Sequence, residues 1–188
     1  MADMISGMVE SFGGPVLEDL GKRVGLPAET VKMAIPVVTG LVLMGVKRMA
    51  AQPGGADKLA QMMTANSERV GGRDLDSFIK ETDPAKTTDA LNALTGSNST
   101  ENVVANLARK TGLDPKAVGQ LMGIMTPAVM SQLGGLAKEK GLDAQGVVDL
   151  INSNSDALKA IPGLDYIMDD VPGISDDIKR GLNKIFGS

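Results

Sequence analysis

The side chains in this sequence that could perform acid–base chemistry are carboxylates, because it contains no histidine and no cysteine. Their absence removes the usual near-neutral general base, thiolate nucleophiles, and metal sites built on imidazole or thiolate. Adjacent carboxylates occur at Asp169-Asp170 and Asp176-Asp177. Paired carboxylates can hydrolyse glycosidic bonds, but Asp169-Asp170 lies in a turn-like stretch that we expect to be solvated. We therefore predict no catalytic residue, no metal site and no cofactor.

Patterns for phosphate binding are incomplete. The segment Gly40-x4-Gly45-Val46-Lys47 lacks the Gly-Lys-(Ser/Thr) end of a phosphate-binding loop, and no Gly-x-Gly-x-x-Gly pattern occurs.

With 19 basic and 23 acidic side chains the chain has a net charge of −4. No basic arm or tail stands out, so nucleic-acid binding driven by counterion release has little support.

A repeated segment is the strongest pattern in the chain. Residues 20–31 (LGKRVGLPAETV) are echoed by residues 107–118 (LARKTGLDPKAV), and Thr39 then falls over Thr126. Each copy predicts a helix that ends at a Gly-Leu turn, followed at once by an apolar helix. The turn residues are Gly25, Leu26, Gly112 and Leu113.

The same segment resembles a helix–turn–helix motif, which makes nucleic-acid binding the alternative function. Gly21 or Ala108 would be the small residue of the first helix, and Val31 or Val118 the buried anchor of the second. A recognition helix must present polar and basic side chains to bases and phosphates. After the first turn only Lys32 is basic before the helix becomes apolar. We therefore favour a helix-packing corner and disfavour nucleic-acid binding.

The elements that position these turns are helices, since no sustained two-residue alternation of a strand occurs. We predict an all-α fold of about ten helices in two homologous multi-helix units. The predicted segments are a first helical unit (1–66), a helical connector (67–98), a second helical unit (99–155) and a C-terminal helical tail (156–188). Within them, we expect a helix to begin at Ser99 or Thr100, another near Asp83-Pro84, and type II turns at Pro162-Gly163 and Pro172-Gly173.

The two long apolar helices should form the cores. Pro36 and Pro127 lie inside them and predict kinks, because the proline ring removes one backbone hydrogen bond and crowds the preceding turn. Gly119-x3-Gly123 places small residues one turn apart, which permits close helix approach. We favour two similar lobes sharing an interface and leave open a single pseudo-symmetric domain. Both apolar stretches are interrupted by Pro and Gly, so we predict no membrane span.

The last predicted helix, residues 175–186, carries an apolar stripe. Its members, Ile178, Leu182, Ile185 and Phe186, form a candidate partner-contact surface. Basic side chains flank the stripe, as they do in helices that lie on membranes, so peripheral membrane contact is left open. Packing of this tail onto the rest of the domain is the favoured interpretation.

At its Gly-Leu turns and the proline-containing helices after them, the chain resembles the YidB-like family of bacterial domains of unknown function. The residues that carry the resemblance are Gly25-Leu26-Pro27-Ala28-Glu29 with Pro36, Gly112-Leu113-Asp114-Pro115 with Pro127, and Ala90 to Gly96. The resemblance spans most of residues 5–155 and implies an all-helical fold without an accepted activity. Members often end in an Asp-rich loop, whereas here the alternating Asp-x-Asp-x-Asp-Gly pattern of a calcium site is missing.

From these observations we expect a cytoplasmic, non-enzymatic helical module that acts through a protein partner or by forming a homo-oligomer. The start of the chain lacks the basic and long apolar regions of a signal peptide. Methionine is abundant, at 12 residues, and its flexible thioether suits contact surfaces that must adapt to a partner.

Overall fold

The computed structural model of the protein describes residues 4–70, 74–83, 92, 97–161 and 164, and all regular elements within them are helices. The helices are α1 (Met4–Glu10), α2 (Pro15–Val24), α3 (Ala28–Ala50), α4 (Gly55–Val70), α5 (Leu75–Glu81), α6 (Ser97–Thr111), α7 (Pro115–Lys140), α8 (Ala144–Ser153) and α9 (Ser155–Lys159). The predicted all-α class is confirmed. That the chain consists of homologous tandem units stays a prediction.

Most helix boundaries follow local signals. Pro15 is the first residue of α2, and the Asp114 side chain caps α7 by accepting hydrogen bonds from the Lys116 and Ala117 amides at 2.9 and 3.1 Å. The helices α3 and α7 continue through Pro36 and Pro127 without a break. The predicted kinks at these two positions stay predictions.

Two boundaries differ from the sequence-based expectation. The helix α4 runs to Val70, four residues past the predicted end of the first unit at residue 66. Polar residues there bond within the helix instead of ending it, since Asn66 Nδ2 donates to the Met62 carbonyl at 2.7 Å. The helix α6 begins at Ser97, so the predicted caps Ser99 and Thr100 lie inside its first turn.

The buried side chains of both segments form one continuous core. The helix α4 packs more extensively on α7 than on its own neighbour α3, and α8 packs more extensively on α3 than on α7. In each segment, the helix that follows the long helix therefore lies on the long helix of the other segment. The division of the chain into two lobes or one pseudo-symmetric domain stays a prediction.

Equivalent threonines lie in the two long helices at the positions matched by the repeat. Thr39 and Thr126 are both fully buried, with exposed fractions of 0%. Thr126 Oγ1 donates to the Met122 carbonyl at 2.7 Å, whereas Thr39 Oγ1 has no hydrogen-bond partner among the described residues. A buried hydroxyl without a partner is destabilising.

We expect Thr39→Val to raise the free energy of unfolding by about 1 kcal/mol, because it removes an unsatisfied buried group at nearly constant volume. Thr126→Val should lower it by about 1 kcal/mol or less, because it removes a hydrogen bond that is made. Urea titrations of both variants measure the difference. Equal changes in the free energy of unfolding at the two positions would contradict the conclusion that Thr126 is hydrogen-bonded and Thr39 is not.

Three predictions fall on parts of the chain that are not described. They are the helix after Asp83-Pro84, the turns at Pro162-Gly163 and Pro172-Gly173, and the C-terminal stripe of Ile178, Leu182, Ile185 and Phe186.

Candidate interaction surface

The two predicted turns share one hydrogen-bond geometry. Gly25 and Gly112 adopt φ values of 71° and 69°, the left-handed conformation that suits glycine after a helix. The Leu26 amide donates to the Gly21 carbonyl at 2.9 Å, and the Leu113 amide donates to the Ala108 carbonyl at 3.1 Å. Both leucines are half-buried against the core. These residues fix the angle between consecutive helices.

A third corner of this kind joins α7 to α8. Gly141 has a φ of 63°, and the Leu142 amide donates to the Ala137 carbonyl at 2.8 Å. Asp143 then caps α8 by accepting a hydrogen bond from the Gly146 amide at 2.8 Å. This corner was not among the predicted turns, although its Gly-Leu-Asp sequence is the same as that of the second corner. Its recurrence supports a structural role for these turns.

No constellation suited to metal chemistry is found in the part of the chain that the structure describes. No group of three or more Asp, Glu, His or Cys side chains there could hold a metal ion. The buried polar side chains of the described residues are all uncharged: Thr39, Asn66, Thr82, Thr100 and Thr126. The carboxylate pairs Asp169-Asp170 and Asp176-Asp177 lie outside the described residues.

A charged cluster fastens α5 to α2. Lys80 Nζ lies 2.6 Å from Asp76 Oδ2 on its own helix and 3.2 Å from Asp19 Oδ2 on α2. The Arg23 guanidinium donates to the carbonyls of Lys80 and Thr82, where α5 ends. These carbonyls are among those that a helix end leaves without a partner. The cluster is therefore explained by the attachment of α5.

The same contacts shift the protonation equilibria of their members. The hydrogen bond from Lys80 lowers the pKa of Asp19 below its ordinary value of 3.8. The hydrogen bond to Asp76, followed by the one to Asp19, raises the pKa of Lys80 above 10.5. Hydrogen bonds from the amide and the hydroxyl of Ser77 lower the pKa of Asp74, the residue that caps α5.

We expect the contribution of Asp19 to stability to be lost in acid. A carboxylate whose pKa is lower in the folded state stabilises that state above its unfolded pKa, here about 3.8, and this contribution disappears as the pH falls through the folded value. Asp19→Asn should therefore shift the urea midpoint downward at pH 7 but much less near pH 2. A variant with the same shift at both pH values would show that the ion pair contributes nothing. Glu18→Asn, at the exposed end of the weaker 3.9 Å pair with Lys22, is the matched comparison.

An open groove lies between the end of α3 and the outer face of α4. It has a volume of about 500 Å³ and is lined mainly by apolar surface. The lining residues are Met49, Gln52, Lys58, Gln61, Met62 and Ala65. Met49 is buried at the base and Met62 is half-buried, whereas Lys58 and Ala65 are exposed. The sequence does not predict this groove, because the residues of the α3–α4 turn and of α4 come together only in the fold.

The helix α3 is the one helix among the described residues that is long and apolar enough to cross a membrane. In its most apolar stretch 67% of the residues are buried inside the protein. Such burial is also typical of the central helix of a water-soluble fold, so this helix alone is weak evidence for a membrane span.

Comparison with known proteins places the chain in a family. The family model described as "Bacterial protein of unknown function (DUF937)" matches residues 6–135. This range begins in α1 and ends within α7, so it includes the first two Gly-Leu corners and the groove. No curated protein and no solved structure matches the sequence. The chain therefore belongs to the DUF937 family of bacterial proteins of unknown function, which is also known as YidB-like.

Proposed function

We propose that the protein is a cytoplasmic, non-enzymatic helical module that acts through protein–protein contact or self-association. The observation that carries this proposal is the open, mostly apolar groove between α3 and α4. Exposed apolar concavities on helical proteins commonly receive a helix from a partner.

The chemistry of the groove defines the helix that would fit it. Met49 and Met62 offer flexible thioether side chains, which can adapt to apolar side chains of different shape. Gln52 and Gln61 contribute amides that can donate to and accept from a polar flank. Lys58 is the one cation of the lining. The matching partner is an amphipathic helix with apolar side chains on one face and a carboxylate beside them.

The exposed surface of the first corner gives little support to nucleic-acid binding, the alternative function. The start of α3 presents Glu29, Lys32 and Met33 to solvent. One cation beside one carboxylate offers little attraction for phosphates. A mobility-shift titration at low salt tests this alternative directly, and binding there that weakens steeply with added salt would revive it.

Two substitutions on the same helix test the groove. Ala65 and Ala60 are both exposed on α4, but only Ala65 lines the groove. We expect the intact protein to associate with itself or with a partner helix, and Ala65→Glu to weaken this association at least tenfold. Ala60→Glu should leave it unchanged. Light scattering over a range of protein concentrations measures self-association.

Other results of these experiments would contradict the proposed role of the groove. A strict monomer at every concentration, combined with partner capture that responds equally to Ala65→Glu and Ala60→Glu, would overturn the proposed role of the groove. Circular dichroism and urea midpoints of the two variants verify that neither substitution unfolds α4.

A further inference from the structure

The groove residues of α4 belong to a longer face of that helix. The successive positions Lys58, Gln61 with Met62, Ala65 and Glu68 are three or four residues apart, so their side chains lie on one side of α4. Met62 is half-buried and the other four are exposed. The face therefore has an uncharged centre, with a cation near the start of the helix and a carboxylate near its end.

The two charges of this face oppose the dipole of their own helix. Lys58 lies near the start of α4 and Glu68 near its end, whereas a helix favours acidic side chains at its start and basic ones at its end. No ion pair within the described part of the chain engages either side chain. Contacts within one copy therefore do not explain these two charges.

A second copy of the same helix, running in the opposite direction, matches the charges. When Lys58 of each copy lies beside Glu68 of the other, both charges of both copies are paired. The same register places Gln61 of each copy beside Ala65 of the other, where the small alanine side chain permits close approach. Such a contact is self-complementary, because two-fold symmetry makes each pairing occur twice.

The helix also has the composition that fits the groove. The groove accepts an amphipathic helix with a carboxylate beside its apolar side chains, and α4 offers Met62 and Ala65 followed by Glu68. Met49 at the base of the groove has a flexible thioether that can adapt to the Met62 side chain of a second copy.

We propose that the occupant of the groove is α4 of a second copy of this chain, packed antiparallel on α4 of the first and aligned by two Lys58–Glu68 pairs between the copies. This inference rests on the proposed function and identifies the partner as the chain itself. The apolar contact around Met49 and Met62 supplies most of the affinity. The exposed ion pairs select the direction and the register of the two helices.

Charge reversal in the full chain tests the pairing. Lys58→Glu or Glu68→Lys alone brings like charges together at both pairs, and each should weaken dimerisation about tenfold in sedimentation equilibrium at low salt. The double variant, and an equimolar mixture of the two single variants, should dimerise about as strongly as the original chain. Both reversals agree with the dipole of α4, so they are not expected to unfold it, and circular dichroism verifies this.

Matched reversals on α3 control for the change in net charge. Lys32 and Glu29 are exposed near the start of α3 and do not line the groove. Lys32→Glu and Glu29→Lys should leave dimerisation within about twofold of the original, because charges far from the contact are screened.

Cross-linking tests the direction of the helices, since the chain has no native cysteine. In a mixture of Gln61→Cys and Ala65→Cys chains, the mixed disulfide should form about tenfold faster than either disulfide between identical variants, because only the mixed pair lies at the same level. Ala60→Cys, exposed on α4 outside the groove, should cross-link slowly with every partner. Faster closure between identical variants would overturn the antiparallel arrangement.

The remaining outcomes separate this inference from the proposed function. A dimer that Ala65→Glu weakens but the single charge reversals do not would overturn the Lys58–Glu68 pairing and leave the groove as the contact. A monomer at every concentration, with capture of another protein that is lost in Ala65→Glu but retained in Ala60→Glu, would overturn the second copy as occupant and leave the proposed function with a different partner. A dimer that none of these substitutions weakens would overturn both.

Discussion

Replacing Gly134 by alanine is expected to lower the free energy of unfolding by about 1 to 3 kcal/mol, because α4 crosses α7 at this residue. A methyl group on Gly134 would lie 3.0 Å from the Met63 carbonyl oxygen and would also collide with the Ser67 hydroxyl. The carbonyl is backbone within α4, so relief requires the helix to move. Contact between α4 and α7 is the most extensive between any two helices of the described residues.

The same substitution at Gly135 should raise the free energy of unfolding by about 0.5 to 1 kcal/mol. Gly135 is exposed, and a methyl group there would meet nothing within 4 Å. Both glycines lie inside α7, so both substitutions gain the same helix propensity. The difference between their changes in the free energy of unfolding therefore measures the cost of the close contact between α4 and α7. Urea titration gives both values, and similar changes at the two positions would show that α4 does not approach α7 this closely.

The sequence predicts local features of this fold better than its closest contacts. The Gly-Leu corners and the Asp114 cap are local, since each depends on residues within one turn of the chain. The small-residue pattern Gly119-x3-Gly123 is also local, but Gly119 does not mark a close approach between helices. A methyl group on Gly119 would lie at an ordinary 3.9 Å from Val104 Cγ1, whereas Gly134 faces backbone.

Features that depend on distant segments were not predictable. Periodicity shows which face of α4 is apolar, but not that this face lies mainly on α7 rather than on α3. The groove has the same origin, because Met49 and Met62 meet only after α3 and α4 have folded back on each other. The corners restrict the angle between consecutive helices, but they do not determine which non-consecutive helices pack on each other.

The second large effect is expected at the first corner, where Gly21→Ala should lower the free energy of unfolding by about 1 to 3 kcal/mol. A methyl group on Gly21 would lie 2.6 Å from the Leu26 carbonyl oxygen. This steric cost exceeds the roughly 1 kcal/mol that alanine contributes to helix formation. Denaturant unfolding of the variant measures the net change, and a gain in stability would mean that the corner relaxes easily.

The second corner provides the comparison, because it accommodates Ala108 at the equivalent position with an exposed fraction of 4%. Ala108→Gly should therefore destabilise by about 1 to 2 kcal/mol, because it loses both helix propensity and a buried methyl group. The two corners differ in the residue after leucine, which is Pro27 in the first and Asp114 in the second. Because proline fixes φ, at −58° here, it restricts how the Leu26 carbonyl can move away. If Pro27 causes the tight approach, adding Pro27→Asp to Gly21→Ala should recover part of the lost stability. If stability is not recovered, the packing of α2 on α3 causes the tight approach.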